Sequence, residues 1–316
     1  MTTYIEAGRR ALGEDLGRGG VFGQYRGLQQ EFGAARVIDT PISEATIMGA
    51  AVGMALAGQV PVVELRFSDF ALCAVDEIVN QAAKARFMFG GQARVPCVIR
   101  QPIGMWRSSA AQHSQSLEAW WTHVPGLVVV CPATPADNYA LLREAIACGD
   151  PVIYSEHKDL WPLEGEVPDG HRVELGRARI AREGRDATLV SWSKTVHVAL
   201  AAAEEAASRG VEAEVIDLRT LWPWDRDAVF ASVAKTGRLL VAHEAVQVAG
   251  FGAEIAATVA EHCDAALRAP VRRLGAPRIP VAYSPPLEDE SRVTAMMIVD
   301  SLRALAAAPR RRAAAD

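Results

Sequence analysis

The segment RVIDTPISEATIMGAAVGMALAG, residues 36–58, carries the strongest structural signal in the chain. Pro41 ends an extended approach, and Ser43 is a residue type that often caps helices. Glu44 then falls in the first turn of the predicted helix, where a negative charge is favourable. The segment therefore predicts a strand that leads into a helix with a carboxylate at its start.

The predicted helix has a row of small residues on one face. Gly49, Gly53 and Ala57 recur at every fourth position, which places them on the same side of the helix. A face without large side chains lets another helix approach closely, as in tight helix crossings and large subunit interfaces. We therefore expect this face to pack against another helix or another chain.

Apolar runs of strand length alternate with helical patterns along the rest of the chain. The strand-like segments are residues 60–65, 95–100, 127–131, 152–154, 187–192, 213–217 and 238–243, and the helical segments are residues 74–89, 137–148, 195–209, 225–235 and 290–307. This alternation is typical of a parallel sheet covered by helices. Because the pattern weakens in residues 161–186, we predict an α/β fold with two domains, residues 1–175 and 176–316, each a mainly parallel sheet.

The composition indicates a globular protein and excludes several functional classes. The chain has 316 residues, of which 50% are hydrophobic, so it can form two cores. A net charge of -5 gives no electrostatic reason to bind nucleic acid or an anionic membrane, and no apolar run is long enough for a membrane span. The five cysteines have no metal-binding spacing, and their odd number argues against a complete disulfide framework. We therefore expect a cytoplasmic protein.

A series of short motifs occurs in order along nearly the whole chain. They are DTPISE (39–44), GAAVGMALAG (49–58), PVVEL (61–65), DEIVNQAAK (76–84), FMFGG (87–91), AQHSQS (111–116), HVPGL (123–127), DLRTL (217–221), GFGAE (250–254) and YSPPL (283–287). Together they resemble the β subunit of the thiamine diphosphate-dependent decarboxylating component of 2-oxo acid dehydrogenases, of the pyruvate, branched-chain and acetoin types. The resemblance implies a transketolase-like pyrimidine-binding domain followed by a transketolase C-terminal-like domain.

The resemblance implies a catalytic role for Glu44. Thiamine's thiazolium carbon becomes a nucleophile after it loses a proton, and the cofactor's own aminopyrimidine removes this proton in its imino form. A carboxyl group that hydrogen-bonds to the opposite ring nitrogen favours that form. By itself, Glu44 would be interpreted as an ordinary glutamate at a helix start. With the flanking motifs, it is predicted to activate the cofactor.

Three further residues are assigned by their positions in the motifs. Phe70, in FSDF (67–70), corresponds to the family's aromatic residue that packs on the pyrimidine ring. His113, in AQHSQS, corresponds to a histidine near the reacting carbon, where it would stabilise or protonate the intermediate or assist acyl transfer. Glu14, in GED (13–15), resembles a glutamate that approaches the active centre, although the helix and strand expected before it have little room.

The chain also departs from the family pattern at the expected substrate side. Arg66 lies where relatives commonly have an apolar residue, and its guanidinium could contact an anionic substrate, pair with Asp69 or point to solvent. The segment QPIGMWRSS, residues 101–109, replaces a more glycine-rich turn. Its bulky Trp106 and Arg107 are candidates for lining or narrowing the substrate entrance.

The resemblance also implies partners and ions. Thiamine diphosphate is held through Mg²⁺, which the superfamily binds with a GDG segment followed by an asparagine. Because this chain has no GDG, an α subunit with the GDG…N motif is expected to hold the diphosphate and Mg²⁺. The expected assembly is an α2β2 heterotetramer, inactive without α. A monovalent cation such as K⁺ is expected at main-chain carbonyls of Cys97, Ala145, Cys148 and Asp150.

The leading hypothesis is a β subunit that, with its α partner, decarboxylates a pyruvate-like 2-oxo acid and transfers the acyl unit to a lipoyl group of an acyltransferase core. One alternative is an acyl or ketol transferase that delivers a two-carbon unit to a non-lipoyl biosynthetic acceptor. Arg66 and the Trp106 segment motivate it. Another alternative is a non-catalytic scaffold of the same fold. The joint presence of Glu44, Phe70 and His113 argues against a scaffold.

Overall fold

The computed structural model describes Ile5 and residues 9–309. The first of its two sheets contains β1 (Arg10–Gly13), β2 (Val37–Asp39), β3 (Pro61–Glu64), β4 (Val98–Ile103), β5 (Val128–Val130), β6 (Val152–His157) and β10 (Thr220–Trp222). Their order is β10-β5-β6-β4-β3-β1-β2, and all neighbours are parallel except β10 with β5. β3, β4 and β6 are buried along their whole length, as expected for a sheet covered on both faces.

The second sheet has five strands. They are β7 (Arg179–Arg182), β8 (Ala187–Ser191), β9 (Ala213–Asp217), β11 (Leu239–Val246) and β12 (Arg272–Ala276). Their order is β12-β11-β8-β9-β7, and only β7 is antiparallel to its neighbour. The predicted class, two mainly parallel α/β sheets, is therefore confirmed.

Helices surround both sheets. In the first part of the chain they are α1 (Leu28–Phe32), α2 (Glu44–Leu56), α3 (Ala83–Met88), α4 (Glu118–Thr122) and α5 (Pro135–Ala147). In the second part they are α6 (Thr195–Ser208), α7 (Arg226–Thr236), α8 (Phe251–Cys263), α9 (Pro285–Glu290) and α10 (Ala295–Ala307). No helix among the described residues is long and apolar enough to cross a membrane.

Four local expectations need correction. The predicted helix over residues 290–307 begins only at Ala295, because Glu290 is the last residue of α9 and Thr294 caps α10 by accepting a hydrogen bond from the Met297 amide at 3.3 Å. The segment 74–89 contains a π-helical turn, Glu77–Ala82, before α3. Ser43 does not cap α2, since its hydroxyl donates to Thr46 Oγ1 at 2.8 Å. Finally, the region before Glu14 has room for a complete strand, β1.

β10 connects the two parts of the molecule. It follows β9 of the second sheet but pairs with β5 at the edge of the first sheet, where Thr220 lies opposite Val130. The segment predicted as the connection, residues 161–186, has no regular strand until β7 at Arg179. The boundary at residue 175 stays a prediction.

Candidate active site

Three predicted residues follow the three strands at one side of the first sheet. Glu14 comes directly after β1, Glu44 begins α2 shortly after β2, and Arg66 lies two residues beyond β3. These strands are neighbours and parallel, so their carboxyl ends meet at one edge. Arg66 Nη1 lies 3.4 Å from Glu14 Oε2, and Arg66 Nη2 lies 3.2 Å from Asp15 Oδ2.

Burial and neighbouring charge change the acidity of Glu14. Its side chain is almost fully buried, and burial raises its pKa. The nearby Glu44 carboxylate raises this pKa further, while Arg66 lowers it. Glu44 is half-buried, and its carboxylate forms no hydrogen bond or ion pair with any residue that the structure describes. The site therefore combines a carboxyl group that holds its proton more strongly with a carboxylate available for a ligand.

Two of the three positions considered for Arg66 from the sequence, pairing with Asp69 and pointing to solvent, are wrong, and contact with an anionic substrate stays a prediction. It pairs with Glu14 and Asp15 rather than with Asp69, and its side chain is 29% exposed. Asp69 instead accepts a hydrogen bond from Gln115 Nε2 at 2.8 Å. Arg66 therefore offsets part of the acidic charge at this edge.

Phe70 and His113 are brought together around a third ring, that of Phe67. The ring centroids of Phe67 and Phe70 are 5.6 Å apart, those of Phe67 and His113 are 4.8 Å apart, and those of Phe70 and His113 are 5.2 Å apart. All three contacts are edge-to-face, a favourable arrangement for aromatic rings. Phe67, which directly follows Arg66, was not predicted as a site residue.

The aromatic cluster continues to Trp106. Phe22 lies 5.7 Å from Phe67 and 5.6 Å from Trp106, measured between ring centroids, and 4.2 Å from Trp161. Arg107 is exposed, and its guanidinium lies 5.1 Å from the centre of the Trp106 ring. Trp106 thus belongs to a series of ring contacts that ends at His113, and the exposed Arg107 guanidinium lies against the Trp106 ring.

Lys158 is a buried cation in contact with the aromatic cluster. Its Nζ donates a hydrogen bond to the His113 carbonyl and lies 4.9 Å from the centre of the Phe67 ring. Burial lowers its pKa to about 8, although the Asp69 charge favours the protonated form. The sequence analysis missed Lys158, but it immediately follows β6 at the same sheet edge as Glu14. That position is the signal that could have identified it.

The side chains at this edge fit the pyrimidine ring of thiamine but not its diphosphate. A carboxylate without a partner at Glu44 can bind a ring nitrogen, and the half-buried Phe70 offers a flat apolar contact. Among the described residues, Arg66 is the cation that pairs with Glu14 and Asp15, and Glu44 adds a third acidic group, so this edge disfavours a diphosphate. Over Ile5 and residues 9–309, no group of three metal-ligating side chains was found.

The carbonyls expected to hold a monovalent cation are partly engaged. Cys148 Sγ donates to the Ala145 carbonyl at 3.3 Å and lies 3.6 Å from the Asp150 carbonyl. The Cys97 carbonyl accepts a hydrogen bond from the Val152 amide at 2.8 Å. The structure thus brings the carbonyls of Ala145 and Asp150 to one thiol, and the cation site stays a prediction.

Both parts of the chain match known domain families. Residues 7–163 match the transketolase pyrimidine binding domain, and residues 176–298 match the transketolase C-terminal domain. The two matches follow each other in the order that the motifs imply.

Curated relatives are similar over most of the chain. The acetoin:2,6-dichlorophenolindophenol oxidoreductase subunit beta of Cupriavidus necator is 48% identical over 286 residues, which cover 90% of this chain and 84% of that protein. The protein of the same name from Bacillus subtilis is 48% identical over 280 residues, covering 88% and 82%. The 2-oxoisovalerate dehydrogenase subunit beta of Bacillus subtilis is 41% identical over 299 residues, covering 93% and 91%.

A solved structure has the same fold. A split-gene transketolase, determined as an inactive β4 tetramer, superposes with a TM-score of 0.80 and covers 97% of this chain and 96% of that chain. At 23% sequence identity, this similarity concerns the fold alone.

Proposed function

Because the chain belongs to the family of β subunits of thiamine diphosphate-dependent 2-oxo acid and acetoin dehydrogenases, we propose that it is the β subunit of such a heteromeric enzyme. The proposed reaction is the decarboxylation of a small, pyruvate-like 2-oxo acid and transfer of the acyl unit to a lipoyl group. The half-buried Glu44 carboxylate, which has no hydrogen-bond partner among the described residues, is the observation that carries the proposal.

Each site residue has a distinct task in this proposal. When bound, thiamine diphosphate supplies a carbon nucleophile for the substrate's carbonyl group. Glu44 hydrogen-bonds to a pyrimidine nitrogen. Glu14 lies next to it, and because burial raises its pKa, Glu14 keeps its proton to a higher pH than an exposed glutamate does. Phe70 orients the ring, while the His113 imidazole can donate or accept a proton on the substrate side.

The α partner is proposed to supply the other half of the site. An excess of acidic side chains near Glu44 would repel a diphosphate, so the diphosphate and Mg²⁺ require the partner's GDG…N motif. Two apolar surfaces are available for subunit contacts. The small-residue face of α2 is exposed at Gly49 and Gly53, and Phe87 in the last turn of α3 is 88% exposed. We propose that the assembly is an α2β2 heterotetramer and that the chain is inactive without α.

The test is to reconstitute the chain with the GDG-containing chain that co-purifies with it, thiamine diphosphate and Mg²⁺. We expect Glu44→Gln to reduce 2-oxo acid decarboxylation by at least about 100-fold, because the carboxylate no longer assists proton transfer. Since Glu44 has no ion pair with the described residues and loses only its favourable charge at the helix start, its replacement should lower the free energy of unfolding by less than about 1 kcal/mol. Glu204→Gln, an exposed position on α6, is the matched control. Full turnover in Glu44→Gln would refute the assignment.

A second candidate changes the donor substrate. Two relatives at 48% identity are named for acetoin and the dye 2,6-dichlorophenolindophenol, which favours an uncharged hydroxyketone as the donor. Cleavage of acetoin would release acetaldehyde, whereas decarboxylation of pyruvate would release carbon dioxide. Product analysis with each donor separates these two reactions. Comparing lipoamide with the dye as acceptor also tests transfer to a non-lipoyl group.

A further inference from the structure

Residues 104–110, here named the entrance loop, connect β4 to the AQHSQS segment through an unfavourable backbone conformation. Arg107, Ser108 and Ala110 have φ angles of 45°, 59° and 62°. Left-handed backbone is disfavoured for residues other than glycine. A loop with three such residues keeps its shape when contacts from other elements restrain it.

Two hydrogen bonds from the second domain restrain this loop. The Ser108 amide donates to Glu288 Oε2 at 2.9 Å, across 180 residues of sequence. Arg292 Nη1 donates to the Met105 carbonyl at 3.2 Å, across 187 residues. Within the entrance loop, the Glu288 carboxylate therefore holds Ser108 and the Arg292 guanidinium holds Met105.

Glu288 and Arg292 also hold each other. Arg292 Nη2 lies 3.2 Å from Glu288 Oε1, and the Glu288 side chain is only 4% exposed. A charged group that is buried and pairs with a backbone amide forms a stronger hydrogen bond than a neutral one. This pair, here named the clamp, is therefore a rigid support for the loop.

The start of the loop is fixed by a second carboxylate. The Met105 amide donates to Glu244 Oε1 at 2.6 Å, and His157 Nε2 lies 2.9 Å from the same oxygen. Gly104 packs so closely here that an added Cβ would lie 2.0 Å from His157 Nε2. Within the loop, the Ser109 amide donates to the Trp106 carbonyl at 3.0 Å. The clamp therefore acts on the turn formed by residues 106–109, which follows this fixed start.

Trp106 is the residue that the clamp would position. It lies between Met105 and Ser108, which make the clamp contacts, and its ring touches Phe22 in the aromatic cluster. Phe22 touches Phe67, which touches His113. A change in the loop would therefore move an indole ring at the end of the aromatic cluster that reaches the site.

We propose that Glu288 and Arg292 are positioning residues, which hold Trp106 at the substrate entrance and thereby limit the size of the substrate side chain. This inference rests on the proposed function, since it concerns the 2-oxo acid that the site accepts. It assigns a part in substrate selection to the second domain.

The first test compares pyruvate with 2-oxoisovalerate in the reconstituted enzyme, with the dye as acceptor. We expect Glu288→Ala to reduce the preference for pyruvate, as a ratio of kcat/KM values, by at least about fivefold. Glu288→Gln should keep most of the preference, because its amide oxygen still accepts from Ser108. Glu290→Ala, exposed on the same helix, is the control. An unchanged ratio in Glu288→Ala would overturn the proposal.

A double-mutant cycle tests whether Glu288 acts through Trp106. In the Trp106→Ala background, Glu288→Ala should change the substrate ratio by less than about twofold. Equal effects of Glu288→Ala in both backgrounds would contradict the proposal. Arg292→Met gives a second way to open the clamp, and it should shift the ratio in the same direction as Glu288→Ala.

A third measurement does not depend on activity. Arg107 is exposed, so trypsin can report on the mobility of the entrance loop. In the full chain, cleavage after Arg107 should be at least about fivefold faster in Glu288→Ala than in Glu290→Ala. Equal cleavage rates would refute the clamp. If the wild type turns over neither 2-oxo acid, the proposed function fails, while the cleavage result still decides whether the clamp restrains the loop.

Discussion

Two groups of carboxylates lie at the carboxyl edge of the first sheet, and they differ in how they are paired. Glu64 and Glu156 lie on either side of Arg100, with nitrogen–oxygen distances of 2.9 and 2.7 Å. All three side chains are almost fully buried. Tyr25 adds a hydrogen bond to Glu64 at 3.0 Å. The charged atoms of this group are therefore nearly all paired within the chain.

The second group lies one strand away and is incompletely paired. Glu14 and Asp15 share Arg66, whose side chain is 29% exposed, and Glu44 has no ion pair among the described residues. The comparison teaches that the buried, paired group contributes to stability, whereas the open group is available for a ligand. Titratable groups with perturbed, incompletely satisfied surroundings are frequent at functional sites.

The largest expected effect is a difference in stability loss between replacing Arg100 and replacing Arg66. Arg100→Met would leave Glu64 and Glu156 buried without their cation, so we expect the free energy of unfolding to fall by about 3–5 kcal/mol. Arg66→Met should cost less than about 1 kcal/mol, because its ion pairs are partly exposed. Urea denaturation of both variants measures the difference. Equal losses would remove the distinction between the two groups.

The next effect concerns the pH dependence of stability. Burial raises the pKa of Glu64 from 4.5 to about 7, against the attraction of Arg100. Because the folded protein binds this proton more tightly than the unfolded chain, the Glu64 contribution to stability falls as pH rises from 4.5 to about 7. Glu64→Gln should remove a decline of up to about 3 kcal/mol. Denaturation curves across this pH range measure it, and an unchanged decline would implicate another group.

A smaller effect is expected at Glu14. Glu14→Gln should lower kcat/KM by about 10–100-fold and change stability by less than about 1 kcal/mol. The proposed role uses the protonated carboxyl group of Glu14, whose pKa is raised by burial and by Glu44. Loss of this proton would contribute to the alkaline limb of the activity profile, and that contribution should disappear in this variant. Asp15→Asn is the matched control, because Asp15 also contacts Arg66 but its side chain is 36% exposed. The same change of the profile in both variants would argue against a specific role for Glu14.

The smallest effect is expected at Phe70. Replacing it with leucine removes aromatic contacts worth about 0.5–1.5 kcal/mol, so thiamine diphosphate should bind up to about tenfold more weakly. The measurement is a cofactor titration of the reconstituted enzyme. Phe230→Leu, in α7 of the second domain, should leave cofactor affinity unchanged. Unaltered affinity in Phe70→Leu would exclude the ring from the cofactor site.

Local patterns predicted most of the secondary structure. The buried apolar runs of β3, β4, β5 and β6 were identified because their side chains form almost continuous hydrophobic segments. β10 was missed because its three residues have no pattern of their own, and its pairing with β5 is a tertiary contact. The interruption before α10 was also missed, since Ser291 to Thr294 contain no glycine or proline.

The candidate site was predictable only where motifs specify single residues. Glu44, Phe70 and His113 were identified from the segments that contain them. Lys158 and Glu288 were missed because their contacts join segments that are 45 and 180 residues apart. Nothing local in the sequence indicates which distant backbone group a charged side chain will bind.

The pairing of β10 with β5 has a consequence for cutting the gene into domains. A fragment that stops at residue 175 would lack Thr220 and its neighbours, and Val128–Val130 would become an edge strand with unpaired backbone groups. Unpaired edge strands tend to pair with strands of other molecules. Expression of that fragment alone should therefore give insoluble aggregates, whereas in the intact polypeptide β10 covers this edge strand.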